Sequence, residues 1–241
     1  MAYEIVSEIP TTMIGNNSLG LPEARNLGKA PPACPPFKAC FDNYCPFFEY
    51  ESRREDLCNR ILGAVDLAKK AASTLKKPLQ KDTIDKFRKI FGESPGDLWK
   101  LPWAPRQKMS AGDIVAQRFR TVEQELRTRE TIYRCVSASR CQPGPAEPAH
   151  PTETIVRDTI AWAVLCKDEV WLCPRFWQLK REEQEGTVLH EMFHLCFGLT
   201  CAWFQHDSKE RKKNSAHCYE AFALSVAGFH PGTVQCDKVP R

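Results

Sequence analysis

The chain has 241 residues, 42% of them hydrophobic and including six tryptophans and thirteen phenylalanines, enough for one sizeable core and too apolar for a disordered chain. Its net charge of +4 and pI near 8.4, with Lys and Arg scattered along the sequence, give no basis for nucleic-acid binding. No stretch has the length and apolarity of a membrane span, and the first residues, Met1 to Glu8, show neither the basic start nor the apolar segment of a signal peptide.

Twelve cysteines fit a disulfide framework better than a reducing cytosol. The expectation is a chain that is secreted or delivered into an oxidising compartment, the periplasm or the cell exterior. It would travel either as part of a longer delivery protein or by a route without a cleavable signal.

Residues 1–48 are proline-rich and weakly periodic, and read as an extended arm pinned to the body by Cys34, Cys40 and Cys45. Those cysteines lack the C-x-x-C spacing of a structural zinc site, which favours disulfides. Leu57, Ile61, Leu62, Val65, Leu67, Ala68, Ala72 and Leu75 recur at helical spacing and predict a long helix from Glu51 to Leu75, with Cys58 on its apolar face. A shorter helix, Asp82 to Phe91, stops at Gly92. Leu98 to Trp103 is an irregular aromatic connection, suited to plugging the core or lining a cleft. Ser110 caps a third helix with Ile114, Val115, Phe119, Val122 and Leu126 as its stripe and Arg118, Arg120, Arg127 and Arg129 as its solvated face. Residues 49–130 are therefore a helical region.

The pattern changes at Thr131. Thr131–Val136, Thr159–Cys166 and Glu169–Cys173 read as strands, the last two as a hairpin around Lys167-Asp168. Residues 142–151 form a Pro-rich loop. Sequence closeness makes Cys135–Cys141 and Cys166–Cys173 the first disulfide pairs to test.

His190-Glu191-Met192-Phe193-His194 then places H-E-x-x-H inside an apolar helical run. Residues four apart on a helix lie one above the other, so His190 and His194 offer two imidazoles to one point. Glu191 sits one position round, as a carboxylate able to take the proton of an attacking water. Two nitrogen ligands with an adjacent base make a catalytic zinc site, with one Zn2+ per chain expected. Only six histidines occur in the chain, and burying two of them unpaired would be costly. Helices, a few strands, then an H-E-x-x-H helix behind a strand is the order zinc proteases use, where an edge strand aligns extended substrate.

Downstream, Asn214 or Ser215 caps a helix running to Ala227, with Gly228 as its stop. His217 and Glu220 are three apart and share a face, so either can be a third ligand and the other its outer-shell partner. His206 with Asp207 is an outside candidate. His150 and His230, both beside prolines, read as solvent-exposed.

Val170 to Trp177, followed by Gly186-Thr187-Val188-Leu189-His190-Glu191, resembles the deuterolysin and peptidyl-Lys metalloendopeptidase family, the aspzincins. That family shares a strand ending in Leu-Cys, a nearby aromatic pair, and a Gly-Thr leading into the H-E-x-x-H helix. The resemblance spans roughly Tyr133 to Gly228. It implies an α+β, zincin-like domain over residues 131–241 with a small antiparallel or mixed sheet, preceded by the helical region, with 49–241 as one unit. It also implies one zinc ion and endopeptidase action on a protein or peptide substrate. Aspzincins take their third ligand from an Asp in Gly-Thr-x-Asp-x-x-Tyr-Gly or Asn-Ala-Asp-x-Tyr. Here that segment reads Asn214-Ser215-Ala216-His217-Cys218-Tyr219-Glu220, with no Asp; His217 falls on the ligand position in the looser form and is preferred over Glu220. The family also implies an oxyanion-donating hydroxyl for Tyr219, which fits a core aromatic beside Phe222 equally well. A toxin or effector protease with a cognate immunity or inhibitor protein is the expected context. A zinc amidase of cell-wall peptides and a non-catalytic zinc-binding module are the alternatives.

Overall fold

The long helix α1, Tyr50–Thr74, shows how the core is built. Leu57, Ile61, Ala64, Val65, Ala68, Ala71, Ala72 and Leu75 are all buried and follow the three-and-four spacing that gathers one face of a helix. Each large aliphatic side chain so buried contributes about 1.5–3 kcal/mol. That face packs on two later helices, α3 (Ala111–Thr128) and α4 (Arg181–Phe197), and on α5 (Ala216–Ala227). The computed structural model describes residues 34–41, 50–101, 104–136, 160–164, 168–199 and 212–230, all within the compact unit Cys34–Arg241.

Helix α2, Lys81–Phe91, ends at Gly92, whose φ of 73° is the left-handed conformation that stops a helix cheaply. Its Phe87 and Phe91 stack with Trp99 and Phe222. Trp99 lies on β2 (Leu98–Leu101), which pairs antiparallel with β3 (Ala104–Ser110). The connection read as irregular is thus a two-stranded ribbon plugging the core through Trp99. Nothing in Ala104-Pro105-Arg106-Gln107-Lys108-Met109 advertises a strand, because β-branched residues and apolar alternation are both missing. Ser110 caps α3 as expected, accepting from the Asp113 N–H at 3.2 Å.

The main sheet is mixed, with strand order β1-β4-β6-β5. β1 (Phe37–Phe41) runs parallel to β4 (Thr131–Cys135), and β4 runs parallel to β6 (Glu169–Leu172). β5 (Ala161–Val164) is antiparallel to β6 and closes one edge. The β5–β6 hairpin has no glycine; Asp168 takes the positive φ, at 53°, which short polar side chains tolerate best after glycine. Helices and mixed sheet together make an α+β fold. One continuous core joins α1–α3 to the sheet and to α4 and α5. None of the described helices is long and apolar enough to cross a membrane.

Cys34 and Cys58 form a disulfide, tying the segment that leads into β1 onto α1. Cys173 is also disulfide-bonded; Cys141 and Cys166 lie outside the described residues, as does Cys45. Cys135 keeps its thiol, which corrects the Cys135–Cys141 pairing. On β4, Thr131, Tyr133 and Cys135 alternate inward, so the Cys135 sulfur enters the core and not the loop that follows. Cys196 and Cys218 keep thiols as well. Arg118 is a second correction: instead of joining a solvated face it is 5% exposed.

Candidate metal centre

Helix α4 is buried on every side from Gln184 to Phe193, so His190 is held in a packed environment, with His194 half-buried just beyond it. Glu183 accepts a hydrogen bond from the Lys180 N–H at its start. Gly198 ends it in the left-handed conformation, φ 59°. That turn brings the Leu199 carbonyl back onto His194 Nδ1. Helix α5 packs along α4 and carries His217 and Glu220 one turn apart.

The two ring systems of the H-E-x-x-H pair converge. His190 Nε2 and His194 Nε2 are 3.0 Å apart, and their ring centroids are 4.7 Å apart. Two nitrogens on one tetrahedral zinc at ~2.0–2.1 Å would be ~3.3 Å apart, so the spacing is near that of a shared ion. The partners of the other nitrogens set the tautomers. His190 Nδ1 lies 3.0 Å from Glu220 Oε2, and His194 Nδ1 meets the Leu199 carbonyl. Carboxylate and carbonyl can only accept, so both Nδ1 atoms donate and both Nε2 atoms present lone pairs. A cation between the two nitrogens would accept both lone pairs.

Electrostatics keep the rings neutral. Burial, reinforced by neighbouring His217, lowers the pKa of His190. Burial and then His190 bring His194 down to about 3. Burial alone would raise Glu220, but the hydrogen bond from His190 and the adjacent His217 ring bring it down to about 2. A buried carboxylate thus stays ionised behind a neutral imidazole, an arrangement that raises imidazole basicity toward a metal.

His217 joins from α5. Its ring centroid is 4.3 Å from that of His190, and its Nδ1 stands 3.6 Å from Glu220 Oε2. That nitrogen is buried with no hydrogen-bond partner. His190, His217 and Glu220 together form a buried group able to hold a metal ion, their donor atoms within 4.8 Å of one another. The donors fit such an ion: imidazole nitrogens and an ionised carboxylate suit zinc and its neighbours in the first transition row.

Glu191 is 4% exposed. It lies near Tyr133 of β4, whose hydroxyl pKa is raised, first by burial and then by the Glu191 charge. Tyr219 is in the aromatic core and fully buried, its ring centroid 4.5 Å from that of Phe193. Its hydroxyl donates to the Lys213 carbonyl at 3.0 Å and accepts from Arg118 Nη1. The same guanidinium donates to the Lys213 carbonyl at 2.7 Å and lies 5.4 Å from the Phe197 ring centre. This arrangement is that of a core aromatic. Sequence reasoning missed both the Arg118–Tyr219 pair and the Leu199 carbonyl, because each partner lies far along the chain or on the backbone. His230 is exposed; His206, Asp207 and His150 lie outside the described residues.

The chain matches no protein-family model and no curated protein sequence.

Proposed function

We propose that this chain is a zinc-dependent metallopeptidase of the zincin type, related to the aspzincins. The observation that carries the reading is the convergence of His190 Nε2 and His194 Nε2 at 3.0 Å, with each Nδ1 committed to an acceptor. His217 is the third ligand in this reading, and Glu220 serves as the outer-shell carboxylate of His190. A zinc ion held by these residues would supply Lewis acidity and lower the pKa of a bound water. Glu191 takes the proton of the attacking water and returns it to the leaving amine. The sheet supports a peptide substrate: among the described strands β5 is the antiparallel edge, and α4 packs against it. An extended chain pairing along β5 would run past the H-E-x-x-H helix. The Cys34–Cys58 disulfide favours action in an oxidising compartment such as the periplasm, where a toxin protease would meet its substrate and an immunity protein would meet the toxin.

A second reading has its own observation. His190, His217 and Glu220 can hold an ion by themselves, a set that leaves out His194 and so does not need the H-E-x-x-H pair or its base. Glu191→Gln separates the two. The amide is nearly isosteric with the carboxylate, so zinc content should match that of the wild-type chain. Peptide hydrolysis, or toxicity on export to the periplasm, should fall ~10²–10⁴-fold with the base removed. Unchanged activity in a zinc-loaded Glu191→Gln protein would exclude the hydrolase and leave the binding module.

A further inference from the structure

Gly186 lies one turn before His190 on the same face of α4. Across from this pair on α5 stand Glu220 and Leu224, themselves one turn apart. A Cβ at Gly186 would come within 3.1 Å of Glu220 Oε1, 3.1 Å of Leu224 Cδ1 and 3.4 Å of Glu220 Cγ. The carboxylate is therefore lodged between the two α4 residues. Oε1 faces the position a Gly186 Cβ would take, and Oε2 accepts from His190 Nδ1 at 3.0 Å. Glu220 is 8% exposed and Leu224 2%, so neither can move out into water to make room.

Ordinary helix energetics do not ask for glycine here. Gly186 sits inside the helix, 10 residues before the last residue but one, in the range Arg181–Phe197, where alanine is the better helix former. We infer that Gly186 is a positioning residue of the metal centre: its missing Cβ gives the room in which Glu220 reaches His190 and holds Nε2 toward the ion. This rests on the metal-binding reading above and adds a requirement to it. The space on α4 then tunes the site that the ligands form.

The test is zinc affinity of the full chain, measured by competition with a chelating dye, for wild type, Gly186→Ala, Glu220→Ala and the double variant. Losing an outer-shell carboxylate weakens metal binding about 10–100-fold, and Gly186→Ala should reproduce at least about a threefold part of that loss. In the Glu220→Ala background the same change should have no further effect, because the group it displaces is gone. The imidazole proton spectrum of the metal-free protein gives a second readout: the His190 Nδ1–H resonance should shift in Gly186→Ala. Should Gly186→Ala fail to fold while the double variant folds, the close approach to Glu220 is supported directly. Unchanged zinc affinity together with an unshifted resonance, with only a higher melting temperature, would overturn the inference while leaving the metal site standing. An equal affinity loss with and without Glu220, or failure of the double variant to fold, would assign the constraint to Leu224 and also overturn it. Wild-type protein that binds no zinc would overturn the metallopeptidase reading, and the Nδ1–H resonance would still decide whether Gly186 sets the Glu220–His190 contact.

Discussion

At the scale of single residues, the proposed roles of His217 and Glu220 can be separated by the atoms each one meets. Glu220 Oε2 is on His190 Nδ1, the nitrogen facing away from His194, whereas His217 has a buried nitrogen without a hydrogen-bond partner. His217→Ala should therefore strip zinc from the purified protein, since catalytic zinc takes three protein ligands. Glu220→Ala should retain it with affinity lowered ~10–100-fold. Metal analysis after dialysis checks this, and the reverse ranking would make Glu220 the ligand. Tyr219 can be tested in the same way. Removing its hydroxyl deprives Arg118 of one acceptor in a buried setting, so Tyr219→Phe should lower unfolding free energy by about 1–3 kcal/mol and leave zinc affinity unchanged. Denaturant melts measure the first effect. A large fall in hydrolysis with stability intact would instead return Tyr219 to an oxyanion role.

Among the elements, α4 matters most, and its C-terminus shapes the site as much as its face does. Gly198 adopts φ 59°, and its N–H bonds the His194 carbonyl at 2.8 Å while the next residue's carbonyl meets the His194 ring. An alanine there must hold a left-handed conformation at a cost of about 1–2 kcal/mol. Gly198→Ala should lower the melting temperature and also weaken zinc binding, because the acceptor of His194 Nδ1 moves with the turn. Gly228 has a comparable φ of 89° at the end of α5, remote from the histidines, so Gly228→Ala should cost stability alone. Parallel thermal melts and zinc titrations of the two variants separate the contributions.

For the whole molecule, the buried histidines and carboxylate couple stability to pH. His194, at about 3 in the fold, stays neutral where an unfolded chain takes up a proton near 6.5. Glu220, at about 2, stays ionised where an unfolded chain is protonated below about 4.5. In both windows the unfolded state binds more protons, so stability rises with pH and is lost on acidification. The metal-free protein should melt progressively lower as pH falls from 6.5 toward 3, and His194→Ala should flatten the upper part of that curve. Zinc should be held by the folded chain until the acid end of this range, near the His194 value of about 3, or until the fold itself is lost, because its ligands bind only when deprotonated. Calorimetry across this range, with and without zinc, measures both.

Much of the fold was legible because it is written in short-range periods. The 3.6-residue recurrence of Leu57, Ile61, Val65 and Ala68 predicts α1 to within a residue or so of Tyr50–Thr74. The apolar runs flanking Lys167-Asp168 predict the β5–β6 hairpin, and the i, i+4 spacing of His190 and His194 puts the two rings on one helix face. What the sequence by itself did not decide are contacts between residues far apart in the chain. Arg118 falls on a helix face that looks solvated until Tyr219 and the Lys213 carbonyl are packed over it. Cys135 looks like a partner for a nearby cysteine until strand alternation sends it inward. The sequence leaves His217 and Glu220 equivalent because both share one face of α5. Only the approach of α5 to Gly186 brings Glu220 Oε2 onto His190 Nδ1. Helical spacing is a local property of the backbone, whereas the partner of a ring nitrogen depends on how two helices, joined through a long connection, settle against one core.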